Sequence, residues 1–343
     1  MIDEIKKIQE GLEDWMSIID YRDKEQTAWC RRNITELKGV VDFELLLFDR
    51  IEKIKQINEQ YDLEHNAYIA FSGGKDSTVL HYLIDLALPN NKIPRLFQNT
   101  GMEYNMILKF VKNMAKADDR IVILNSGVKI KKMLNEYGYP FKSKQHAHNV
   151  AIYQNSGMTK TNLKYLGIYG DKPTMFLCPE KLKYQFTPDF TLKCSDRCCY
   201  KLKKEPQHKW AKENNKSIVL TGMRKSEGGN RNNLTCISSN GTKIHFLAPV
   251  NDDFMEWFIN RYNIQLCELY YPPYNFERTG CKGCPFSLNL QEQLDVMKKI
   301  LPNEYKQCWF LWKPVYDEYI RIDYRLEKPS RQLSIFDLEE EKC

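Results

Sequence analysis

Apolar residues recur along this chain in helical and strand-like patterns that alternate. Ile2, Ile5, Ile8, Leu12 and Trp15 fall three and four residues apart, and Val41, Phe43, Leu46, Leu47, Ile51 and Ile54 repeat the spacing more loosely. That spacing makes one apolar helix face and predicts a helical N-terminal extension over residues 1–60. Ala67 to Phe71 is a short apolar run bounded by polar residues, the pattern of a strand buried on both faces. Val79 to Leu88 returns to helical spacing. Leu96 to Gln98 predicts a second strand, Met106 to Ala117 a helix, Ile121 to Leu124 a third strand and Ser217 to Leu220 a fourth. Strands and helices in this order predict an α/β fold with a doubly wound, mostly parallel sheet. Residues 127–190 are irregular and read as a substrate-facing insertion. Trp257 to Tyr262 is amphipathic, and Leu290 to Ile300 and Tyr305 to Tyr319 read as helices. Tyr270-Tyr-Pro-Pro-Tyr274 is a rigid aromatic loop that either covers a site or packs, with packing expected. The expected division is a helical extension (1–60), a nucleotide-binding α/β domain with a basic insertion (61–250), a cysteine-bearing helical region (251–325) and a tail (326–343).

The turn after the first strand, Ser72-Gly-Gly-Lys-Asp-Ser-Thr78, carries two glycines, a lysine and three hydroxyls. A strand, a glycine turn and a helix N-terminus aim free backbone N–H groups at one point, which suits a phosphate. Gly73 and Gly74 let the backbone approach an anion, Lys75 adds a cation, and Ser72, Ser77 and Thr78 add donors. Thr100, Gly101 and Glu103 follow the second strand, and Gly222, Arg224, Glu227 and Arg231 follow the fourth. All stand at C-terminal strand ends, where doubly wound sheets bind ligands. Either arginine can grip a phosphate or sulfate through paired donors.

Ser72-Gly-Gly-Lys-Asp-Ser77 resembles the PP-loop of the ATP pyrophosphatase superfamily, whose members share an adenine nucleotide alpha hydrolase-like fold. That superfamily includes tRNA thiolases, phosphorothioate-DNA enzymes and the sulfonucleotide (APS/PAPS) reductases. The resemblance implies that the loop holds the phosphates of ATP or of an adenylyl sulfate. The Thr-Gly-x-Glu element at Thr100 and the Thr221-Gly-Met-Arg224…Arg231 element resemble the same group, the latter its contact with the anionic end of the substrate.

Net charge is +6, but residues 142–231 alone carry an excess of 11 positive charges, leaving −5 for the rest. A basic middle suits a polyanion such as DNA or tRNA, or a multiply charged nucleotide. Lys142, Lys144, His146, His148, Lys160 and Lys164 are candidates to line its path. No apolar stretch is long enough to span a membrane, and the charged N-terminus lacks a signal core, so a cytoplasmic protein is expected.

Eleven cysteines in such a protein do not read as disulfides. Cys281-Lys-Gly-Cys284 is a two-ligand hook, and Cys198 and Cys199 offer two more thiolates. Four thiolates suit a structural zinc or an iron–sulfur cluster. Adjacent cysteines strain a single tetrahedral ion, whereas a cubane offers separate iron corners. The tandem pair followed by the hook resembles the [4Fe–4S] site of APS reductases, and Lys203-Lys-Glu-Pro206 matches the stretch that follows the pair there. By that resemblance Lys203 places positive charge between cluster and substrate. Cys194 is an extra thiol, a substitute ligand for Cys198 or a participant in sulfur chemistry.

Three functions remain open. Retained Lys75 and Asp76 match the ATP-splitting PP-loop, which implies Mg²⁺-assisted loss of pyrophosphate, adenylation of an acceptor and displacement of AMP by sulfur from the cluster or a cysteine. A nucleic acid is then the acceptor, and a sulfur or electron donor protein the partner. The alternative is an APS or PAPS reductase with Cys343 as a swinging nucleophile, although the Glu-Cys-Gly-x-His motif of that family is absent. The third is a nucleotide- and redox-sensing adaptor. Gln332-Leu-Ser-Ile-Phe336 resembles the peptide that docks bacterial proteins on the replicative sliding clamp, through apolar anchors on a polar strand.

Overall fold

In a computed structural model of the chain, residues 40–169, 177–228 and 231–327 are described. The first helical run, Cys343 and the Gln332–Phe336 peptide lie outside them. Helix α1 (Val40–Tyr61) precedes strand β1 (Ala67–Phe71), and α2 (Lys75–Ala87) follows it. Then come β2 (Arg95–Asn99), α3 (Asn105–Ala117), β3 (Ile121–Asn125), α4 (Ile130–Tyr137), α5 (Lys144–Ser156) and α6 (Lys160–Leu166). After a helical turn at Arg197–Cys199 come α7 (Glu205–Glu213), β4 (Ile218–Leu220), β5 (Lys243–Ile244), α8 (Asp252–Arg261), α9 (Leu290–Ile300) and α10 (Pro302–Arg321).

The five strands are all parallel, in the order β3-β2-β1-β4-β5. Chain order reverses beside β1, so the crevice between the β1 and β4 exits is a topological switch point. This is the doubly wound sheet expected from the apolar runs. Ile69, Phe71, Leu96 and Phe97 are nearly inaccessible because helices cover both faces. Strand β5 is too short to leave a periodic pattern. Helix α2 starts at Lys75, four residues before the apolar repeat, because the loop's own Ser77 and Thr78 form its first turn and are buried.

One hydrophobic cluster runs from α1 through the sheet to α10. Helix α10 is the buttress of the cysteine hook. Trp312 donates its indole N–H to the Lys282 carbonyl at 3.2 Å, Tyr319 its hydroxyl to the Pro285 carbonyl at 2.9 Å, and Tyr316 its hydroxyl to the Gly283 carbonyl. The buried aromatics therefore also satisfy backbone acceptors that water does not reach. Among the described residues no helix is long and apolar enough to cross a membrane.

Candidate functional site

The loop after β1 is held by its own hydroxyls. Ser72 N–H donates to Ser77 Oγ at 3.1 Å, the two Oγ atoms lie 3.0 Å apart, and Gly74 N–H reaches Ser72 Oγ at 3.3 Å. Gly73 has φ +70°, and a Cβ there would lie 2.6 Å from the Val111 side chain. Gly222, after β4, faces the start of α2 so closely that a Cβ would meet the Asp76 carbonyl at 2.9 Å. Both close approaches require glycine: Gly73 seats the loop on α3, and Gly222 brings the β4 exit against the start of α2.

Asp76 is fixed from across the switch point. Arg224 Nε donates to its carboxylate at 2.8 Å, while the two terminal nitrogens donate to Asp252 at 2.8 Å and Ser226 at 3.0 Å. The Arg224 side chain is only 4% exposed. With every guanidinium nitrogen committed, Arg224 orients Asp76 and Asp252, which differs from the anion-gripping role expected of it. The Arg224 hydrogen bond holds the Asp252 carboxyl below the usual carboxylate range, and Lys75 Nζ lies 4.0 Å from that carboxylate. Arg231 and Arg278 both pair with the mostly buried Glu227, Arg278 at 2.7 Å. Lys75, Asp76, Arg224, Glu227, Asp252 and Arg278 line a cleft of about 730 Å³.

The aromatic loop does more than pack. Tyr270 Oη accepts the Lys75 N–H at 2.9 Å and lies 2.8 Å from Thr279 Oγ1. A phenol thus occupies a helix N-terminal donor that an anion would use. Tyr270, Thr279, Asp252 and Arg278 were missed from sequence. Thr279 and Arg278 stand immediately before the hook, and Asn251-Asp-Asp253 carries an N-cap signal, with Asn251 accepting the Phe254 N–H at 2.9 Å.

On the other side of β1, Thr100 donates its N–H and hydroxyl to Glu103, each at 2.9 Å. Glu103 is 3.6 Å from Lys203 Nζ. The thiolate of Cys281 is the largest influence raising the Lys203 ammonium, against burial, with Glu103 and Cys199 adding to it. Lys203 thus connects the β2 exit with the cysteines. Gly101 follows Thr100 at φ +80°, and Lys282 N–H donates to the Met102 carbonyl at 2.8 Å, tying hook to strand exit.

Cys198, Cys199, Cys281 and Cys284 converge. The Cys198 thiol donates to Cys199 at 4.0 Å, and the charges of Cys281 and Cys284 bear on Cys198. That hydrogen bond places the thiolate on Cys199, opposed by burial and supported by Lys144, Lys203 and Lys204. Burial raises Cys281 and pushes Cys284 up to about 12. A tetrahedral zinc with bonds of about 2.3 Å needs sulfurs roughly 3.8 Å apart. The all-sulfur donor set, with two of the thiols on adjacent residues, suits a cluster with separate iron corners.

Cys194 does not join them. Its thiol is buried and pushed up by burial and then by Glu318, and its backbone N–H is spent on Gln154 at 3.0 Å. A buried neutral thiol is a poor nucleophile, so the expected catalytic role has no support in its surroundings. His146 also departs from expectation. It is buried between Tyr165 (3.0 Å) and Gln185 (2.8 Å), away from any solvent path.

His81, Asp85 and Asp118 have metal-ligand spacing, but two guanidiniums already occupy them. Arg95 donates to Asp85 at 2.5 Å and to His81 Nδ1 at 3.1 Å, and Arg120 bonds both carboxylates. This is an ion-pair hub.

The sequence model of the phosphoadenosine phosphosulfate reductase domain matches residues 66–167 and 174–287. The chain belongs to this family. Its matched residues run from β1 through the cysteine hook, so the phosphate loop, Arg224, the tandem pair and Cys281–Cys284 all fall within the reductase-family domain. An uncharacterized protein of Methanocaldococcus jannaschii is 25% identical over 260 residues, covering 71% of this chain. The chain spans about half the length (49%) of that curated relative. Among solved structures, a phosphoadenylyl-sulfate reductase from Candida auris in a phosphate complex aligns at TM-score 0.42 and 16% identity, over 77% of this chain and 97% of that one. An NH3-dependent NAD synthetase from Campylobacter jejuni aligns at TM-score 0.36 and 12% identity, over 84% and 99%. The U34-tRNA thiolase NcsA from Methanococcus maripaludis, with its [4Fe-4S] cluster, aligns at 0.34 and 13%, over 84% and 82%.

Proposed function

We propose that this chain is an ATP-dependent sulfur-transfer enzyme acting on a nucleic acid. The observation that carries the reading is the contact path Thr100–Glu103–Lys203–Cys281, which joins the strand exits beside the phosphate loop to the four thiols. ATP phosphates sit on Ser72–Thr78, with Lys75 neutralising charge and Asp76, held by Arg224, placed to engage Mg²⁺. An acceptor oxygen attacks the α-phosphorus, and the P–O bond to pyrophosphate breaks. A sulfide-level sulfur from a donor protein then takes the activated position, and AMP leaves with the acceptor oxygen. Cys198, Cys199, Cys281 and Cys284 would hold a [4Fe–4S] cluster, which would supply Lewis-acidic iron beside the nucleotide. Lys203 balances the negative charge of those thiolates on the side facing the nucleotide.

The test is anaerobic incubation with ATP, APS and PAPS in parallel, assayed for pyrophosphate and sulfite. Acceptor-dependent pyrophosphate release from ATP alone is expected. Sulfite from APS or PAPS would instead establish a reductase, a reading favoured by the pairing of Arg231 and Arg278 on one carboxylate at the cleft. The protein purified without oxygen should be brown and carry about four irons per chain; a colourless zinc protein would sink the cluster assignment.

A further inference from the structure

Beside the hook, and apart from the cleft at the switch point, an apolar pocket of about 380 Å³ opens between the β2 exit and α10. Gly101 and Met102 line one part, Phe310 and Leu311 another, together with Lys282 and Lys306. Lys282 sits between the two hook cysteines and donates to Gln307 at 2.8 Å. Phe310 is 66% exposed, whereas Trp312, Tyr316 and Tyr319 on the same helix are buried. Packing therefore does not explain this ring. Lys131 Nζ lies 3.8 Å from its centroid. Lys131 and Lys306 have no carboxylate partner among the described residues, unlike Lys201 with Glu205 and Lys313 with Asp317. Helix α4, which carries Lys131, packs against the Arg197–Cys199 turn. Lys131 over the ring and Lys306 in the lining thus put two cations beside an exposed aromatic side chain.

An unpaired nucleotide matches both features, because it offers a planar base to an aromatic ring and a phosphate to a lysine. A paired duplex hides its base faces. An acidic peptide satisfies the lysines but leaves the ring without a role. We infer that this pocket receives one unpaired base of a single-stranded nucleic-acid segment, stacked on Phe310 with flanking phosphates on Lys131 and Lys306. The inference rests on the nucleic-acid reading above and places the acceptor strand on the hook side of the sheet edge.

The test is fluorescence anisotropy of the anaerobically purified full chain with a labelled mixed-sequence RNA or DNA strand of about 12 nucleotides. Phe310→Ala should weaken binding about 5- to 100-fold, and Phe310→Tyr, which keeps the ring, should retain it. Lys131→Gln and Lys306→Gln should each reduce the slope of log affinity against log salt by about 0.7. Unchanged binding by Phe310→Ala, or equal competition from polyglutamate, overturns the inference and leaves the acceptor reading standing. A wild-type protein that binds neither strand overturns both, while pyrophosphate release from ATP reports separately on the nucleotide half.

Discussion

At the start of β2 the Arg95 side chain is fully buried, and its nitrogens reach His81, Asp85, Asn91 and the Ile93 carbonyl. Arg120 closes the group onto Asp85 and Asp118. At the far end of the same sheet the pairing is looser. Arg231 and Arg278 share one Glu227, Lys75 stands 4.0 Å from a mostly exposed Asp252, and a tyrosine hydroxyl fills the α2 N-terminus. The hub leaves little for a ligand to gain. At the cleft only Arg224 is as fully committed, while Lys75, Arg231 and Arg278 keep donors that are shared or face an exposed carboxylate. Charge that is mutually satisfied and buried serves the fold, whereas charge left half-paired at a switch point is open to a ligand.

Breaking each end separately sharpens that contrast. Arg95→Met leaves Asp85 with Arg120 but strips the buried His81 Nδ1, Asn91 Oδ1 and Ile93 carbonyl of their shared donor, and should cost about 1–3 kcal/mol in urea unfolding. Activity per folded molecule should hold, because Arg95 touches nothing at the cleft. Lys75→Ala should do the reverse, lowering pyrophosphate release roughly 10²–10³-fold with unfolding midpoints near wild type. Equal effects of both variants on turnover would erase the distinction between the two ends.

The C-terminal end of the sheet was the easier one to read from sequence, and for a local reason. Ser72–Thr78 and the Cys281–Cys284 hook declare their chemistry within a few residues, and the apolar run Ala67–Phe71 declares the strand that positions the loop. What stayed hidden depends on distant contacts. Tyr270 lies 195 residues from Lys75, and Arg224 lies 148 from Asp76. Arginine after a strand reads as an anion ligand until the carboxylates that consume it are seen. His146 reads as part of a basic path until Tyr165 and Gln185 enclose it.

Acid separates the two ends by a different route. Burial, and then Arg95, depress His81 to about 4, and burial likewise depresses His146 to about 4. Both are neutral in the folded chain and take up a proton on unfolding below about pH 6.5. Their stabilising contribution is complete above pH 6.5 and is lost as pH falls toward 4, because the unfolded state then binds more protons. Each lowering is worth roughly 3 kcal/mol at most. Unfolding midpoints measured between pH 7 and 4.5 should fall steeply, and His146→Gln should flatten the curve. A pH-independent midpoint would mean that neither imidazole is held neutral.

The smallest effect expected is at Tyr270, and its sign is the informative part. The phenol oxygen accepts the same Lys75 N–H that an incoming phosphate would take. Tyr270→Phe removes that competitor and keeps the ring. A net neutral hydrogen bond contributes about 1 kcal/mol, so pyrophosphate should bind up to about fivefold more tightly to the variant by calorimetry. Weaker binding would instead make the hydroxyl a donor to the bound anion. In that case the cleft end of the sheet would be a finished site, with Tyr270 and Thr279 part of its grip, and the contrast with the hub would rest on Lys75 and the two arginines on Glu227 alone.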